Sequence, residues 1–160
     1  MDLLIRPGLE KDAERISEIY NHYVLNTCFT FDEQATSRED ILERMSTGHW
    51  LVYERGTEVV AYTYATTWKD RSAYRFTLES SVYVHQDSHG MGIASKLYEA
   101  LFEEMRNRGI HSLMATIALP NRNSVHFHEK MGFKKVGVAK EVGYKFDLWV
   151  DVGYWQKMLL

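Results

Sequence analysis

Three kinds of residue in this chain have the types and spacing for chemistry. The first is a turn, His89-Gly90-Met91-Gly92-Ile93-Ala94, followed by Ser95. Two glycines and an alanine at a helix start let the backbone approach a ligand closely, and the unpaired N–H groups of a first helical turn suit a pyrophosphate. The spacing is G-x-G-x-A. It is therefore neither a Walker loop, which needs Gly-Lys-Ser/Thr, nor the GxGxxG of dinucleotide sites. The second is Glu79, a carboxylate at the head of an otherwise apolar stretch and just ahead of that turn, placed to accept a proton directly or through water. The third is a set of cations and rings: Lys69, Arg71 and Tyr74 on one polar segment, Phe29 and Phe31 earlier, and His128 four residues after Ser124. Each has an ordinary reading too. The glycines fit a tight strand-to-helix connection, Glu79 an ion pair with Arg75 or Lys69, Lys69 and Arg71 a solvated loop, and His128 a surface histidine bonded to Glu129.

The elements that would position these groups follow from periodicity. Ser80–Val84 has the β-branched and aromatic content of a strand, and Ile93, Leu97, Leu101 and Met105 recur every four residues on one helix face. Leu3–Arg6 reads as a first strand ended by Pro7-Gly8. Asp12 opens a helix with Ala13, Ile16, Ile19, Tyr20 and Tyr23 on its apolar face. The segment Asn26–Ala35 shows no period, and Thr36-Ser37-Arg38-Glu39 reads as a capping box for a helix to about Met45. Trp50–Tyr53 and Val59–Thr66 form a hairpin across Arg55-Gly56-Thr57. Leu113–Ala118 is a strand, Asn123–Met131 a helix stopped at Gly132, and Lys134–Lys140 and Lys145–Met158 close the chain. The order β-α-α-β-β-β-α-β-α-β-β predicts an α/β fold with helices on both faces of a mixed sheet. The Glu79–Val84 strand and the one ending at Ala118 become neighbours through a right-handed crossover, and their splaying would leave a slot for an extended cofactor arm.

Composition narrows the function. At 160 residues, with 45% hydrophobic and 26% charged residues, the chain has the makeup of one soluble domain over 1–160. A net charge of −3 argues against a general nucleic-acid or membrane-surface role. The one cysteine, Cys28, leaves no internal disulfide and fits a reducing cytoplasm. No apolar run approaches the roughly 20 residues of a membrane span, and the N-terminus lacks the basic and apolar regions of a signal peptide. The histidines show no metal-ligand spacing with carboxylates or Cys28, so no metal is expected.

The turn matches the pyrophosphate signature Gln/Arg-x-x-Gly-x-Gly/Ala of the GCN5-related N-acetyltransferases (GNAT), with His89 where that family has Gln or Arg. Along nearly its whole length the chain resembles, more narrowly, the phosphinothricin and methionine sulfone/sulfoximine acetyltransferases. The matching residues are Asn21-His22-Tyr23, Phe31, Trp68-Lys69-x-Arg71-x-Ala73-Tyr74 and Glu79-Ser80-x-Val82-Tyr83-Val84. They continue with Leu119-Pro120-Asn121-x-x-Ser124-Val125-x-x-His128-Glu129, Gly143-x-Lys145, Trp149-x-Asp151-Val152-Gly153 and Trp155-Gln156.

The resemblance implies the GNAT acyl-CoA N-acyltransferase fold, a mostly antiparallel sheet of about seven strands splayed between its two parallel central strands. It also implies direct transfer from acetyl-CoA to a small amino acid, with Glu79 as general base and His128 assisting. The acetyl-CoA contacts would come from Val82, Tyr83 and Val84, from the turn His89–Ser95, and from Asn121 and Ser124, with a backbone N–H in Ser81–Val84 holding the oxyanion. Lys69, Arg71, Tyr74, Phe29 and Phe31 would bind the substrate, and the enzyme would be a homodimer. Other family members protonate the leaving thiolate with a tyrosine in the helix that here carries Phe127 and His128. The remaining readings are another acceptor amine, such as a protein N-terminus, or an acyl-CoA sensor without turnover.

Overall fold

The computed structural model describes residues 3–160. Seven strands, β1 (Leu3–Pro7), β2 (His49–Arg55), β3 (Glu58–Thr67), β4 (Thr77–Val84), β5 (Ser112–Leu119), β6 (Lys134–Lys145) and β7 (Leu148–Met158), form one sheet in the order β1-β2-β3-β4-β5-β7-β6. Every neighbouring pair is antiparallel except β4 and β5. The helices are α1 (Ala13–Asn26), α2 (Arg38–Met45), α3 (Ile93–Asn107) and α4 (Arg122–Lys130).

Strand alternation divides the core in two. Leu51 and Tyr53 point to one face of the sheet, where α3 buries Leu97, Tyr98, Leu101 and Met105 and α4 adds Val125 and Phe127. Val52 and Tyr62 point to the other face, against Ile16, Ile19, Tyr20 and Val24 of α1 and Ile41 of α2. The apolar periodicity read in the sequence is thus the packing that holds each helix down.

Three local expectations are corrected. The capping box of α2 lies one residue later: Ser37 Oγ accepts from Asp40 N–H (3.1 Å) and Asp40 Oδ2 from Ser37 N–H (2.8 Å). Thr36 is instead buried and held by Asn21, whose Oδ1 accepts from Thr36 N–H and Oγ1–H while its Nδ2 donates to the Thr36 carbonyl, all within 2.9 Å. Asp12 does not cap α1; its carboxylate takes the Leu9 N–H and both arms of Arg6, which hold it below the usual carboxylate range against the opposing effect of burial. The closing hairpin turns at Phe146-Asp147, both in the left-handed region (φ 53° and 59°), so β6 runs through Lys145. A primed turn without glycine carries no sequence signal.

Asn21 therefore fastens α1 to the entry of α2 through three bonds. Asn21→Ala strands a buried N–H, hydroxyl and carbonyl at once and is expected to cost about 2–3 kcal/mol in urea unfolding. Ser37→Ala, which removes only a cap, should cost about 1 kcal/mol. Equal losses would contradict this ranking.

Candidate active site

The site begins where one ladder stops. β4 and β5 pair at Thr77↔Ser112, Leu78↔Leu113 and Glu79↔Met114 and no further, while β4 stays paired to β3 up to Val84. The two parallel strands separate beyond Glu79 and leave a cavity of about 370 Å³.

The antiparallel rule settles which backbone groups face it. His85 N–H donates to the Val60 carbonyl (2.8 Å), which makes Ala61↔Val84 a non-hydrogen-bonded pair. Alternation then gives Tyr83, Ser81 and Glu79 their bonds to β3. The N–H groups of Val82 and Val84 point the other way, into the gap, where β5 has withdrawn. Two backbone donors without a ladder partner line a half-apolar cleft, and this suits a carbonyl oxygen on which charge develops.

Most of the expected cofactor residues meet here. Val82, Tyr83, Val84, His89, Ala94, Asn121 and Ser124 line the cavity. Gly90 and Gly92 have φ of 79° and 72°, a region other residues enter only with strain, and a Cβ on either would project into open space. With Met91 they form the exposed lip, and Ser95 follows half-buried in the first turn of α3. Ile93 departs from the expectation for its side chain, which is buried in the α3 core; only its backbone is available at the helix start. Asn121 caps α4, its Oδ1 accepting from Ser124 N–H at 3.2 Å, and lines the cavity as well. The glycine cradle, the two free N–H donors and the open wedge are the features an extended pantetheine–pyrophosphate chain requires, so the residues fit acetyl-CoA.

His128 is buried, contrary to the surface reading. Its Nδ1–H donates to the Ser124 carbonyl (2.8 Å), so Nε2 carries the lone pair and accepts from the Tyr98 hydroxyl (3.0 Å). Ser80 Oγ lies 3.2 Å from that hydroxyl and donates to it. The wall thus carries a hydroxyl–hydroxyl–imidazole chain from β4 through α3 to α4. Burial pushes the His128 imidazole down, partly offset by its bond to Ser124, and pushes the Tyr98 phenol up. Both are neutral near pH 7. Tyr98 escapes a sequence reading because a tyrosine at the core position of an amphipathic helix looks like packing. The second residue missed is Tyr23 of α1, which lines the cavity and reaches both Val84 and His89; its sequence signal was the Asn21-His22-Tyr23 match.

Glu79 lies at the closed apex, on the face of β4 that also carries Ser81 and Tyr83. It does not line the cavity itself, and among the described residues no cation reaches it. Arg75 instead donates to the Ser72 carbonyl and stacks on Phe76 (4.4 Å), and Lys69 sits over Trp68 (5.2 Å).

The expected substrate residues are not brought together as one cluster. Phe29 lines the cavity. Phe31 packs on Gly143, its ring filling the space a Cβ there would need. Lys69, Arg71 and Tyr74 stay outside the lining, exposed on the connection before Thr77, with Tyr74 edge-on to Trp68 (5.7 Å).

The family profile described as "Acetyltransferase (GNAT) domain" matches residues 5–153. The chain belongs to the GNAT acetyltransferases, enzymes that take their acetyl group from acetyl-CoA. It is 40% identical to a phosphinothricin N-acetyltransferase of Streptomyces viridochromogenes over 96% of this chain and 86% of that one. It is 33% identical to an L-methionine sulfoximine/L-methionine sulfone acetyltransferase of Salmonella typhimurium over 98% and 95%. Among solved structures, a phosphinothricin acetyltransferase from Sinorhizobium meliloti in complex with AcCoA superposes with a TM-score of 0.93 at 29% identity, covering 99% of this chain and 89% of that one.

The buried imidazole makes the fold sensitive to acid. The unfolded chain takes up the His128 proton at the ordinary histidine value and the folded chain only at lower pH. Stability therefore falls as pH drops from the first value through the second. In urea unfolding, His128→Gln should lose less stability than the wild type between pH 7 and about 5. Parallel losses would mean that the imidazole accepts its proton freely in the folded state.

Proposed function

We propose that residues 1–160 form one N-acetyltransferase domain that moves the acetyl group of acetyl-CoA to the α-amino group of a small amino acid. The acceptor class is that of phosphinothricin, methionine sulfone and methionine sulfoximine. The observation that carries this reading is the end of the β4–β5 ladder at Glu79, which puts a carboxylate at the apex of a wedge whose β4 wall offers two free N–H groups. The names of the similar enzymes support the acceptor class, and the cationic Lys69 and Arg71 suit its acidic groups better than they suit a polyamine.

Each step is assigned to residues of this chain. Glu79 takes a proton from the acceptor's ammonium, directly or through one water, and the neutral amine attacks the thioester carbonyl. The Val82 N–H, with Val84 beside it, holds the charge that grows on the carbonyl oxygen. The Tyr98 hydroxyl gives its one proton to the neutral His128, so the wall toward the departing sulfur is the Ser80–Tyr98–His128 chain and the sulfur leaves as the thiolate. Asn121 and Ser124 flank the pantetheine arm, Gly90 to Gly92 cradle the phosphates, and Phe29 with the Lys69–Tyr74 segment borders the acceptor.

Glu79→Gln should lower kcat about 10²- to 10³-fold while calorimetric binding of coenzyme A is unchanged. The assay is thiol release with phosphinothricin, methionine sulfone and spermidine as acceptors. Wild-type turnover with spermidine alone would overturn the acceptor class, and unchanged turnover in the variant would remove Glu79 from the base role.

We also place the enzyme in the cytoplasm, consistent with Cys28 as its one, unpaired cysteine, and infer a homodimer. Support for the dimer comes from the hairpin β6–β7. Val136, Val142, Tyr144, Phe146, Leu148 and Trp149 are each more than half exposed, Trp149 by 64%, and Tyr144 packs on Trp149 at 4.8 Å. Exposed apolar side chains gathered at an edge hairpin are what a second copy covers. Sedimentation should give a dimer for the wild type and an 18.7 kDa monomer for Trp149→Glu; a monomeric wild type would overturn the inference.

A further inference from the structure

The hydrogen bonds around Tyr23 fix the state of His89. The Tyr23 hydroxyl meets two groups, the Val84 carbonyl oxygen and His89 Nε2, the latter at 2.8 Å. A carbonyl can only accept, so the single hydroxyl proton goes to Val84. The hydroxyl therefore accepts from His89, and Nε2 carries the proton. Burial pushes the Tyr23 phenol up to about 12, which keeps that proton in place near neutrality. The neutral ring then has only a lone pair at Nδ1, the nitrogen left for a ligand of the adjacent Gly90–Gly92 turn. A lone pair repels a phosphate oxygen. Gln or Arg at this position would offer an N–H at any pH near neutrality, and His89 does not.

Resting on the acetyl-CoA assignment, we propose that His89 is a cofactor-binding residue that holds a phosphate oxygen only after Nδ1 takes up a proton from solvent, and that Tyr23 is the positioning residue that imposes this requirement. Binding of the cofactor is thereby linked to pH through the histidine that stands where the family signature has Gln or Arg. The titratable group in contact with the ring is Tyr23 of α1, with His22 packed edge-on to Tyr23; His85 and Asp87 precede it on its own segment, Lys96 follows in the first turn of α3, and Arg55 of β2 reaches the same turn at Met91 Sδ (3.2 Å). Asp87 is spread toward solvent with its carboxylate 3.9 Å from His85 Nδ1. The incoming phosphates are the anions that favour the imidazolium.

Coenzyme A alone is the probe, titrated calorimetrically in HEPES and in Tris, whose protonation enthalpies differ, into the wild type, His89→Gln and Tyr23→Phe. At pH 7.5 the wild type should take up more proton on binding than His89→Gln. The ratio of wild-type to His89→Gln affinity should fall about ten-fold between pH 6 and pH 8; the comparison cancels titration of the ligand's own phosphates. Tyr23→Phe frees Nε2–H to serve the phosphate from the neutral ring, so it should bind coenzyme A without the extra proton. Ring ¹⁵N shifts of His89 should report Nε2–H alone in the free wild type and both nitrogens protonated in the complex. Equal proton uptake in wild type and His89→Gln, or uptake retained in Tyr23→Phe, would overturn the proposal. Failure of all three proteins to bind coenzyme A would overturn the cofactor assignment beneath it.

Discussion

The end of β-pairing at Glu79↔Met114 is the constraint on which the rest of the site depends. Parallel strands buried between helices normally keep their ladder, because an N–H left without a partner in a low-dielectric interior is costly. Here β4 holds its β3 ladder to Val84 while β5 turns away toward β7, with which it pairs along its full length. The donors of Val82 and Val84 are thus left open by topology, and their direction is set by the alternation of the β3–β4 ladder. Turning them elsewhere would require a one-residue slip of β4. That slip would also move Ser80 away from Tyr98 and carry Glu79 to the opposite face, so a single register fixes the Glu79 carboxylate, the donors and the hydroxyl chain together.

Much of this was legible in the sequence because it follows from short-range rules. The four-residue recurrence of Ile93 to Met105 and the glycine turn ahead of it are local facts, and both lie where they were expected, whereas Glu79, read as the head of its strand, is the third residue of β4. The misreadings share a cause. Thr36 and Ser37 both precede a helix with an acid three residues on, and only the distant Asn21 decides which of them caps. Tyr98 and Tyr23 occupy apolar helix positions, so their hydroxyls become visible as functional groups only when His128 and His89 arrive from elsewhere in the chain. The turn at Phe146-Asp147 has no glycine to announce it.

The connection between α1 and α2 shows how a segment without periodicity is held in place. The stretch between α1 and α2 buries little apolar surface, yet it is fixed from both ends. Asp32 takes both arms of Arg44 (2.9 and 3.2 Å) and the Tyr20 hydroxyl, and these bonds hold its carboxyl below the usual range against burial; burial, with the bond to Asp32, pushes the Tyr20 phenol up to about 12. From the far end of the chain, Lys145 donates its ammonium to the Thr30 carbonyl (2.8 Å) while almost wholly buried. Burial pulls the Lys145 amine below its ordinary value, and the nearby Asp32 and Glu33 oppose that shift.

The pair Gly143-x-Lys145 therefore has a physical meaning that neither residue carries alone. The missing side chain at Gly143 admits the Phe31 ring, and the lysine two residues on, on the same face of β6, closes on the backbone beside it. Any side chain at Gly143 would displace Phe31, and with it the loop that sets Phe29 on the cavity wall. The hairpin that makes this contact is the one whose outer surface is apolar and exposed. Whatever covers Tyr144 and Trp149 therefore bears directly on the strand that positions the Phe29–Phe31 loop. A partner seated there would stiffen the cavity wall through Gly143 and Lys145 without contributing an atom to the cavity itself.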